Sequence, residues 1–291
     1  MRVWTRNIFV ERFGARRRAP SFSSYGNAGT VGLLIEPRTK EEFVAAVAAL
    51  GDESFDVAGR GTNILFPDGE YDAAVLTTRA MTGAEFRGEV AVALAGERLS
   101  SLAKKAAARG LSGLERLAAI PGSVGGAAAM NAGAFGAEFA DVALWVDVLA
   151  DGKRERLGPD ECGFGYRKSA LGKDAIVLAA AFSLARSDRA AVEREGMKYA
   201  ALRAASQPKG RSLGSTFKRV DGTSAGWYIE RAGLKGAREG GAEISQKHAG
   251  FIVNAGGGTA ADYLALADRA QREVYKDCGV RLELEVVVAG R

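Results

Sequence analysis

One glycine-rich stretch constrains the fold of this chain more than any other feature. Residues 120–136 read Ile-Pro-Gly-Ser-Val-Gly-Gly-Ala-Ala-Ala-Met-Asn-Ala-Gly-Ala-Phe-Gly, with five glycines among small side chains. Such a bare backbone can approach a ligand closely and adopt positive φ, and its amides can converge on an anion. It is neither a P-loop nor a Rossmann fingerprint, because it lacks both glycine spacings. Alone, it fits a Gly/Ala-rich turn between packed elements better than a ligand site.

A second glycine-rich turn, Gly59-Arg60-Gly61-Thr62-Asn63, lies between two segments that are typical of strands. Two bare turns in one domain can bind two parts of one long phosphate-bearing cofactor. Together the two stretches resemble the flavin-binding domain of the UDP-N-acetylenolpyruvoylglucosamine reductase family. The resemblance implies non-covalent FAD, with contacts from Gly59, Arg60, Gly61, Thr62, Asn63, Pro121, Gly122, Ser123, Gly125, Gly126, Asn131 and Gly136.

The same resemblance implies an α+β fold. It consists of a two-subdomain FAD-binding domain of the vanillyl-alcohol-oxidase (PCMH) type and a C-terminal α+β substrate-binding domain. Changes in sequence character place the boundaries near residues 20, 80 and 188. We therefore predict a basic N-terminal arm over residues 1–20, FAD-binding subdomains over 21–80 and 81–188, and a substrate-binding domain over 189–291. No helix or strand is predicted for the arm.

Local patterns predict several element boundaries. Thr39-Lys-Glu-Glu42 and Thr259-Ala-Ala-Asp262 have the form of capping boxes that open helices. The alternation over Arg281–Val288 predicts a strand with one solvated face. At residues 23–29 this chain reads Ser-Ser-Tyr-Gly-Asn-Ala-Gly, where the family usually has a Gly-Gly turn.

Three further motifs match the family in the expected order. Residues 166–169, Tyr-Arg-Lys-Ser, match a Tyr-Arg-x-Ser segment whose arginine stabilises charge on an enolpyruvyl group. Residues 214–218, Gly-Ser-Thr-Phe-Lys, match a motif whose serine is the general acid. The family also places a catalytic glutamate before a valine in its final strand. The resemblance therefore implies that Arg167, Ser215 and Glu285 are catalytic.

The resemblance assigns substrate contacts to Tyr166, Lys218, Lys247 and His248. Without it, the same residue types have ordinary explanations. An arginine before a loop is usually on the surface, and a serine after a glycine is usually a turn or cap residue. Glu283 and Glu285 fit solvated edge carboxylates, and Glu283 is the spare of the two. A lone histidine such as His248 is more often structural than catalytic.

The composition limits the possible partners. The chain has a net charge of +5, a pI of about 9.2, one histidine and two cysteines. Its only dense basic run, Arg16–Arg18, lacks interleaved aromatic residues, so we expect a solvated arm and no nucleic-acid partner. No apolar run reaches the ~20 residues of a membrane span, and charges interrupt any signal-like N-terminus. We expect a cytoplasmic protein without a membrane partner, a disulfide framework or a multi-histidine metal site.

The implied activity is the NADPH-dependent, FAD-mediated reduction of UDP-N-acetylglucosamine enolpyruvyl ether to UDP-N-acetylmuramate, a step of peptidoglycan precursor synthesis. Ser215 would protonate the carbon next to the one that receives the hydride, and Glu285 would be protonated or share a proton. Only eight residues separate Arg167 from Ile176, which indicates the shorter branch without a Tyr-bearing loop. Two alternatives remain: an FAD-dependent oxidase of the same fold acting on a sugar or hydroxyacid, and a cofactor-free nucleic-acid-binding protein.

Overall fold

The computed structural model describes residues 8–172 and 175–290. The helices in this part of the chain are α1 (Ile8–Phe13), α2 (Lys40–Leu50), α3 (Leu99–Ala107), α4 (Val124–Ala129), α5 (Arg189–Ser206), α6 (Ala225–Arg231) and α7 (Ala260–Cys278). The strands are β1 (Arg16–Pro20), β2 (Gly29–Ile35), β3 (Phe55–Ala58), β4 (Ile64–Leu65), β5 (Gly69–Thr77), β6 (Ala84–Arg87), β7 (Val90–Leu94), β8 (Leu111–Ser112), β9 (Gly133–Ala134), β10 (Ala137–Glu138), β11 (Ala143–Ala150), β12 (Lys153–Leu157), β13 (Ala175–Ser183), β14 (Ala185–Arg186), β15 (Arg211–Ser212), β16 (Arg238–Glu239), β17 (Ala242–Ile244), β18 (Ile252–Asn254) and β19 (Val287–Val288). Within these residues, no helix is both long and apolar enough to cross a membrane.

The expected N-terminal arm is only partly irregular. Its first seven residues lie outside the described part of the chain, but residues 8–20 contain α1 and β1. The expectation of no helix or strand in these residues was wrong, because Phe9 is fully buried and joins the core that contains Leu33 and Phe43. Burying such a side chain stabilises the local helix.

The chain forms two compact units, and each unit is discontinuous in sequence. The first unit draws on Met1–Arg17, Leu33–Arg60 and Ala73–Arg203, and the second on Arg18–Gly32, Gly61–Asp72 and Ala204–Arg291. The finer four-part division with boundaries near residues 20, 80 and 188 stays a prediction.

The first unit is organised around a five-stranded antiparallel sheet with the order β12-β11-β13-β7-β6. Helices α3 and α4 contribute Leu102 and Val124 to the core, where these side chains join Val146 and Phe182 of the sheet. Elsewhere in this unit β3 pairs with β5 in parallel. The glycine turn that begins at Gly59 follows directly after β3.

The second unit contains the antiparallel sheet β15-β18-β17-β16, with α6 and α7 contributing to one core. The predicted capping box at the start of α7 is confirmed, since Thr259 and Asp262 exchange both hydrogen bonds. Asp68 adds a second cap, because its carboxylate accepts from the amides of Ala260 and Ala261. In the first unit only half of the other predicted box forms: Thr39 accepts from the Glu42 amide, but the Glu42 carboxylate accepts from Arg38.

The predicted strand over Arg281–Val288 is mostly wrong. Only β19 is a strand, and it pairs in parallel with β4. Upstream, Leu284 makes an isolated bridge to Phe217. In this segment, side chains donate hydrogen bonds to main-chain carbonyl oxygens. Gln271 donates to the carbonyl of Leu282, and Asn63 donates to the carbonyl of Glu285. The apolar/polar alternation is present, but these contacts replace a continuous strand ladder.

Candidate active site

The two glycine-rich stretches meet inside the first unit at Gly59 and Ser123. A Cβ atom added to Gly59 would lie 2.7 Å from Ser123 Oγ, so a larger residue there would force the Ser123 hydroxyl to move. The carbonyl of Gly59 accepts a 3.0 Å hydrogen bond from Thr77 Oγ1, which fixes the start of the turn. The sequence separates these segments by about sixty residues, but the fold places them together.

Arg60 adds positive charge beside this junction. Its Nη1 donates to the carbonyl oxygens of Gly96 at 3.1 Å and Arg79 at 3.3 Å. Burial lowers the pKa of the Arg60 guanidinium, and the charges of Arg98 and Arg79 lower this pKa further. Acidic groups offset part of the charge of these three arginines, since Glu36 pairs with Arg79 and the charge of Glu97 raises the pKa of Arg60. The remaining positive charge favours an anionic group such as a phosphate.

Ser123 is the N-cap residue of α4, but it makes no side-chain capping bond. Its Oγ is buried and has no hydrogen-bond partner within residues 8–172 and 175–290. Buried polar atoms are almost always paired. An orphaned hydroxyl between a bare glycine and an arginine cluster therefore fits the phosphate-bearing cofactor that the sequence implies.

Two main-chain amides of this stretch have hydrogen-bond partners within the protein. Val124 donates to the carbonyl of Glu97 at 2.9 Å, and Gly125 donates to Ala95 at 2.8 Å. These two amides are therefore bonded within the protein rather than directed at a phosphate. Gly125 is needed for packing instead, since a Cβ atom there would lie 2.9 Å from Ala95 Cβ. Of the other predicted contacts in this stretch, Ser123 is buried, Gly122 is half-buried, and the exposed ones are Pro121, Gly126 and Gly136.

The side chain of Asn131, a predicted cofactor contact, is hydrogen-bonded within the first unit. Its Nδ2 donates to Glu138 Oε2 at 2.7 Å and to the Gly165 carbonyl at 3.1 Å. Its Oδ1 accepts from the Ala140 amide at 3.0 Å. Because both the nitrogen and the oxygen of its amide group are hydrogen-bonded, the side chain stabilises the loop that carries Arg167.

Arg167 is docked onto the central glycine-rich stretch. Its Nη2 donates a 3.0 Å hydrogen bond to the carbonyl of Gly133, and its guanidinium carbon lies 5.2 Å from the Tyr166 ring centroid. Arg167 and Asn131 both have positive φ, 54° and 39°. Non-glycine residues in this region are strained and often occur at functional sites.

The second half of the first glycine turn belongs to the second unit. Gly61 has φ of 72°, and a Cβ atom there would lie 2.1 Å from the Phe22 carbonyl oxygen. The Gly61 carbonyl accepts from the Ser24 amide at 2.7 Å. Thr62 is half-buried. Asn63 Nδ2 donates to the Glu285 carbonyl at 3.1 Å, which ties the turn to a predicted catalytic residue.

The second unit also brings the segments of Ser215 and Glu285 together. The Glu285 amide donates to the carbonyl of Thr216 at 2.9 Å, and the Lys218 amide donates to that of Glu283 at the same distance. Lys218 Nζ forms an ion pair with the Glu283 carboxylate. The supposedly spare glutamate thus has a defined partner, which is one of the predicted substrate-binding residues.

Lys247 and His248 are both engaged within the second unit. Lys247 Nζ donates to the carbonyl of Ala204 at 2.7 Å. His248 Nδ1 accepts from the Gly250 amide at 3.0 Å, and burial lowers the pKa of the imidazole. The Gly250 carbonyl in turn accepts from the Thr216 amide at 2.8 Å. His248 therefore stabilises the residue to which the segment after Ser215 is bonded. Among the described residues, no group of three or more His, Cys, Asp or Glu side chains is placed to hold a metal ion.

Sequence reasoning missed Thr216 and Tyr263. Thr216 occupies the variable position of the Gly-Ser-x-Phe-Lys motif, so nothing in the motif marked it. It is buried, and its Oγ1 receives hydrogen bonds from the Ile252 amide and the Tyr263 hydroxyl. Tyr263 is an aromatic residue on the apolar side of α7, a pattern typical of an ordinary core position.

Comparison with known proteins identifies two domains and close relatives of this chain. A family profile described as "FAD binding domain" matches residues 31–158, and one described as "UDP-N-acetylenolpyruvoylglucosamine reductase, C-terminal domain" matches residues 207–289. A UDP-N-acetylenolpyruvoylglucosamine reductase from Rubrobacter xylanophilus is 41% identical over 274 residues, which cover 92% of each chain.

Solved structures show the same relationship. The crystal structure of UDP-N-acetylenolpyruvylglucosamine reductase from Thermus caldophilus has a TM-score of 0.81 and 37% identity, and the match covers 92% of this chain and 95% of that one. A solvent-stable cholesterol oxidase matches with a TM-score of 0.51 and 16% identity over 62% of this chain and 39% of its own, a likeness of fold alone. The predicted α+β fold class, with an FAD-binding domain of the PCMH type and a distinct C-terminal domain, is confirmed.

Proposed function

The chain belongs to the family of UDP-N-acetylenolpyruvoylglucosamine reductases, and from this we propose how its own residues perform that family's reaction. It is a flavin-dependent oxidoreductase that reduces UDP-N-acetylglucosamine enolpyruvyl ether to UDP-N-acetylmuramate with NADPH. When bound, FAD carries the hydride from NADPH to the enolpyruvyl double bond. The residue assignment depends on the hydrogen bond between the Glu285 amide and the Thr216 carbonyl, because this bond joins the segment that contains Ser215 to the segment that contains Glu285.

We propose that the glycine-rich stretches hold FAD. Gly59 and Ser123 supply a bare backbone beside a buried hydroxyl that lacks a protein partner, and Arg60 supplies positive charge. The remaining proposed contacts are those implied by the motifs: Gly61, Thr62, Asn63, Pro121, Gly122, Gly125, Gly126, Asn131 and Gly136.

Arg167 is proposed to stabilise the negative charge that develops on the substrate carboxylate when the hydride arrives. A guanidinium stays protonated at any working pH and presents a planar fork that suits a carboxylate. The Gly133 carbonyl orients this fork. Preorganised charge of this kind costs no rearrangement during the reaction.

Ser215 is proposed to protonate the adjacent carbon, which completes the lactyl ether. A serine hydroxyl is a weak acid, so this step depends on a strongly basic, enolate-like carbon and on a proton that refills the hydroxyl. Glu285 is proposed to act protonated or sharing a proton, because a bare carboxylate would repel the developing negative charge. General-acid assistance typically contributes about 10²–10⁴-fold to a rate.

The substrate's phosphates are proposed to bind Lys218, in competition with Glu283. Tyr166, Lys247 and His248 are the other proposed substrate contacts. Tyr166 is exposed, whereas Lys247 and His248 are held by the carbonyl of Ala204 and the amide of Gly250. Their hydrogen bonds orient them before the substrate arrives.

We infer further that the protein works in the cytoplasm without nucleic-acid or membrane partners. Cys162 and Cys278 are both unpaired, as expected in a reducing compartment. Two arginines of the basic run already have acidic partners, since Arg16 pairs with Glu36 and Arg18 with Glu70. Salt-dependent retention of the protein on RNA, DNA or anionic vesicles would contradict this inference.

The test is an anaerobic incubation of the purified protein with NADPH and the enolpyruvyl ether. We expect NADPH to be consumed in equal amount to the ether, with UDP-N-acetylmuramate as the product identified by mass spectrometry. The oxidase alternative predicts no product without oxygen, and oxygen uptake with a sugar or hydroxyacid. No specific feature of the structure favours that alternative.

A further inference from the structure

A buried tyrosine lies behind the Ser215 segment in the second unit. Tyr263 is in the first turn of α7 and only 1% exposed. Its hydroxyl donates a 3.1 Å hydrogen bond to Thr216 Oγ1. The side chain is therefore too deeply placed to contact a substrate directly, and its hydrogen bond to Thr216 is the contact through which it can act on the neighbouring Ser215.

Every polar atom of Thr216 has a hydrogen-bond partner. Its amide donates to the carbonyl of Gly250 at 2.8 Å, and its own carbonyl accepts from Glu285 at 2.9 Å. Its Oγ1 also accepts from the Ile252 amide at 3.2 Å. Because Thr216 directly follows Ser215, these bonds set the position of Ser215 relative to Glu285.

The start of α7 is a rigid support for Tyr263. The capping box of Thr259 and Asp262 and the second cap from Asp68 fix the helix terminus. The ring of Tyr25 packs edge-on against Tyr263, with centroids 5.0 Å apart and an interplanar angle of 80°. A hydroxyl held this firmly can fix the atom to which it donates.

We propose that Tyr263 is a positioning residue for the protonation step, acting through Thr216 to hold Ser215 and Glu285 in register. The inference rests on the proposed roles of those two residues. Small displacements of a proton donor slow a reaction strongly, because the donor must lie within hydrogen-bond reach of its target. Flavin reduction by NADPH does not use Ser215, so it serves as an internal reference.

The test separates the two half-reactions by rapid mixing under anaerobic conditions. In Tyr263→Phe we expect reoxidation of the reduced flavin by the enolpyruvyl ether to slow about five- to tenfold, the equivalent of one lost buried hydrogen bond. Reduction by NADPH should stay within about twofold of the wild-type rate. Thr216→Val should slow the same step, whereas Thr216→Ser keeps the hydroxyl and should not. The double variant Tyr263→Phe/Thr216→Val should be no slower than the slower of the two single variants, because both remove the same hydrogen bond.

Tyr25→Phe is the matched control. It removes a hydroxyl from the same aromatic pair, and that hydroxyl is buried without a hydrogen-bond partner in the described chain. We expect both half-reactions of this variant to stay within about twofold of wild type, since the bond to Thr216 is untouched. Should Tyr263→Phe fold poorly, the comparison of Thr216→Val with Thr216→Ser carries the same test.

Two results would overturn the proposal: equal slowing of both half-reactions in Tyr263→Phe, or wild-type rates in both. A failure of the proposed function looks different. If the wild-type protein shows no ether-dependent reoxidation, or if Ser215→Ala reoxidises at the wild-type rate, the catalytic assignment itself fails and the inference falls with it.

Discussion

The side-chain amide of Asn63 donates a 3.1 Å hydrogen bond to the carbonyl oxygen of Glu285, although 222 residues separate them in sequence. The amide of Val287 returns a 3.0 Å bond to the carbonyl of Asn63. The glycine turn expected to bind cofactor thereby holds the main chain of a proposed catalytic residue. Because Thr216 accepts from the Glu285 amide on the other side, the peptide groups flanking Glu285 are fixed from two directions.

The first prediction concerns the close approach at Gly61. Gly61→Ala places a Cβ atom 2.1 Å from the Phe22 carbonyl oxygen, so the turn has to move. Strain of about 1–3 kcal/mol at such a site corresponds to a loss of FAD affinity of about 5- to 150-fold, which flavin fluorescence quenching measures. Gly69→Ala is the matched control, because Gly69 has nearly the same φ, 73° against 72°, and its Cβ position is open. Equal losses in both variants would contradict the assignment of this turn to the cofactor.

The second prediction concerns the ion pair between Lys218 and Glu283. If Glu283 competes with the substrate's phosphates for Lys218, Glu283→Gln lowers KM for the enolpyruvyl ether. An exposed pair is worth little, so we expect about a two- to fivefold decrease, larger at low salt. Lys218→Met should raise the same KM. Steady-state kinetics at two ionic strengths measure both effects.

Glu243→Gln controls for charge removal in the same unit. Glu243 pairs with Arg238, and neither residue has a proposed substrate role. Its KM for the ether should stay at the wild-type value. A parallel change in Glu243→Gln and Glu283→Gln would show that overall charge, rather than competition for Lys218, sets the KM.

The third prediction is a pH dependence of stability. Burial lowers the pKa of His248 from its ordinary value of 6.5, so unfolded chains take up this proton at a higher pH than folded ones. Stability from this group is therefore complete above about pH 6.5 and is lost as the pH falls through that value toward the folded-state pKa. Protonation of Nδ1 would also remove the acceptor of the Gly250 amide.

His248 is the only histidine in the chain, which makes the experiment specific. Urea unfolding at about pH 7.5 and about pH 5.5 should show a clear loss of stability in the wild type at the lower pH. His248→Asn keeps an acceptor near the position of Nδ1 but does not titrate there, so its loss should be smaller. An identical pH dependence in both proteins would show that other groups are responsible.

Local sequence signals predicted local structure well. The capping box of Thr259 and Asp262 depends on residues three apart, and it forms as predicted. The glycine-rich stretches were recognisable only as a pair, because the longer one alone fits a turn between packed elements better than a ligand site. Residues 281–288 show the limit, since alternation predicts which side chains share a face but not what bonds to the main chain.

Long-range pairing could not be predicted from the same signals. Nothing near Asn131 indicates that its amide holds the carbonyl of Gly165, 34 residues away. Nothing near Tyr263 indicates that its hydroxyl reaches Thr216, 47 residues away. Only the family resemblance pointed to Asn131, as a cofactor contact, and no sequence signal pointed to Tyr263.

The proposal that Ser215 protonates the substrate is tested most directly by following both half-reactions in Ser215→Ala. The protein is reduced anaerobically with NADPH, then mixed rapidly with the enolpyruvyl ether while the flavin absorbance is recorded. We expect NADPH to bleach the flavin bands at the wild-type rate, and the bands to return more slowly by about 10²-fold or more. Equal loss of both half-reactions, or full-speed return of the bands, would contradict the claim that Ser215 protonates the substrate.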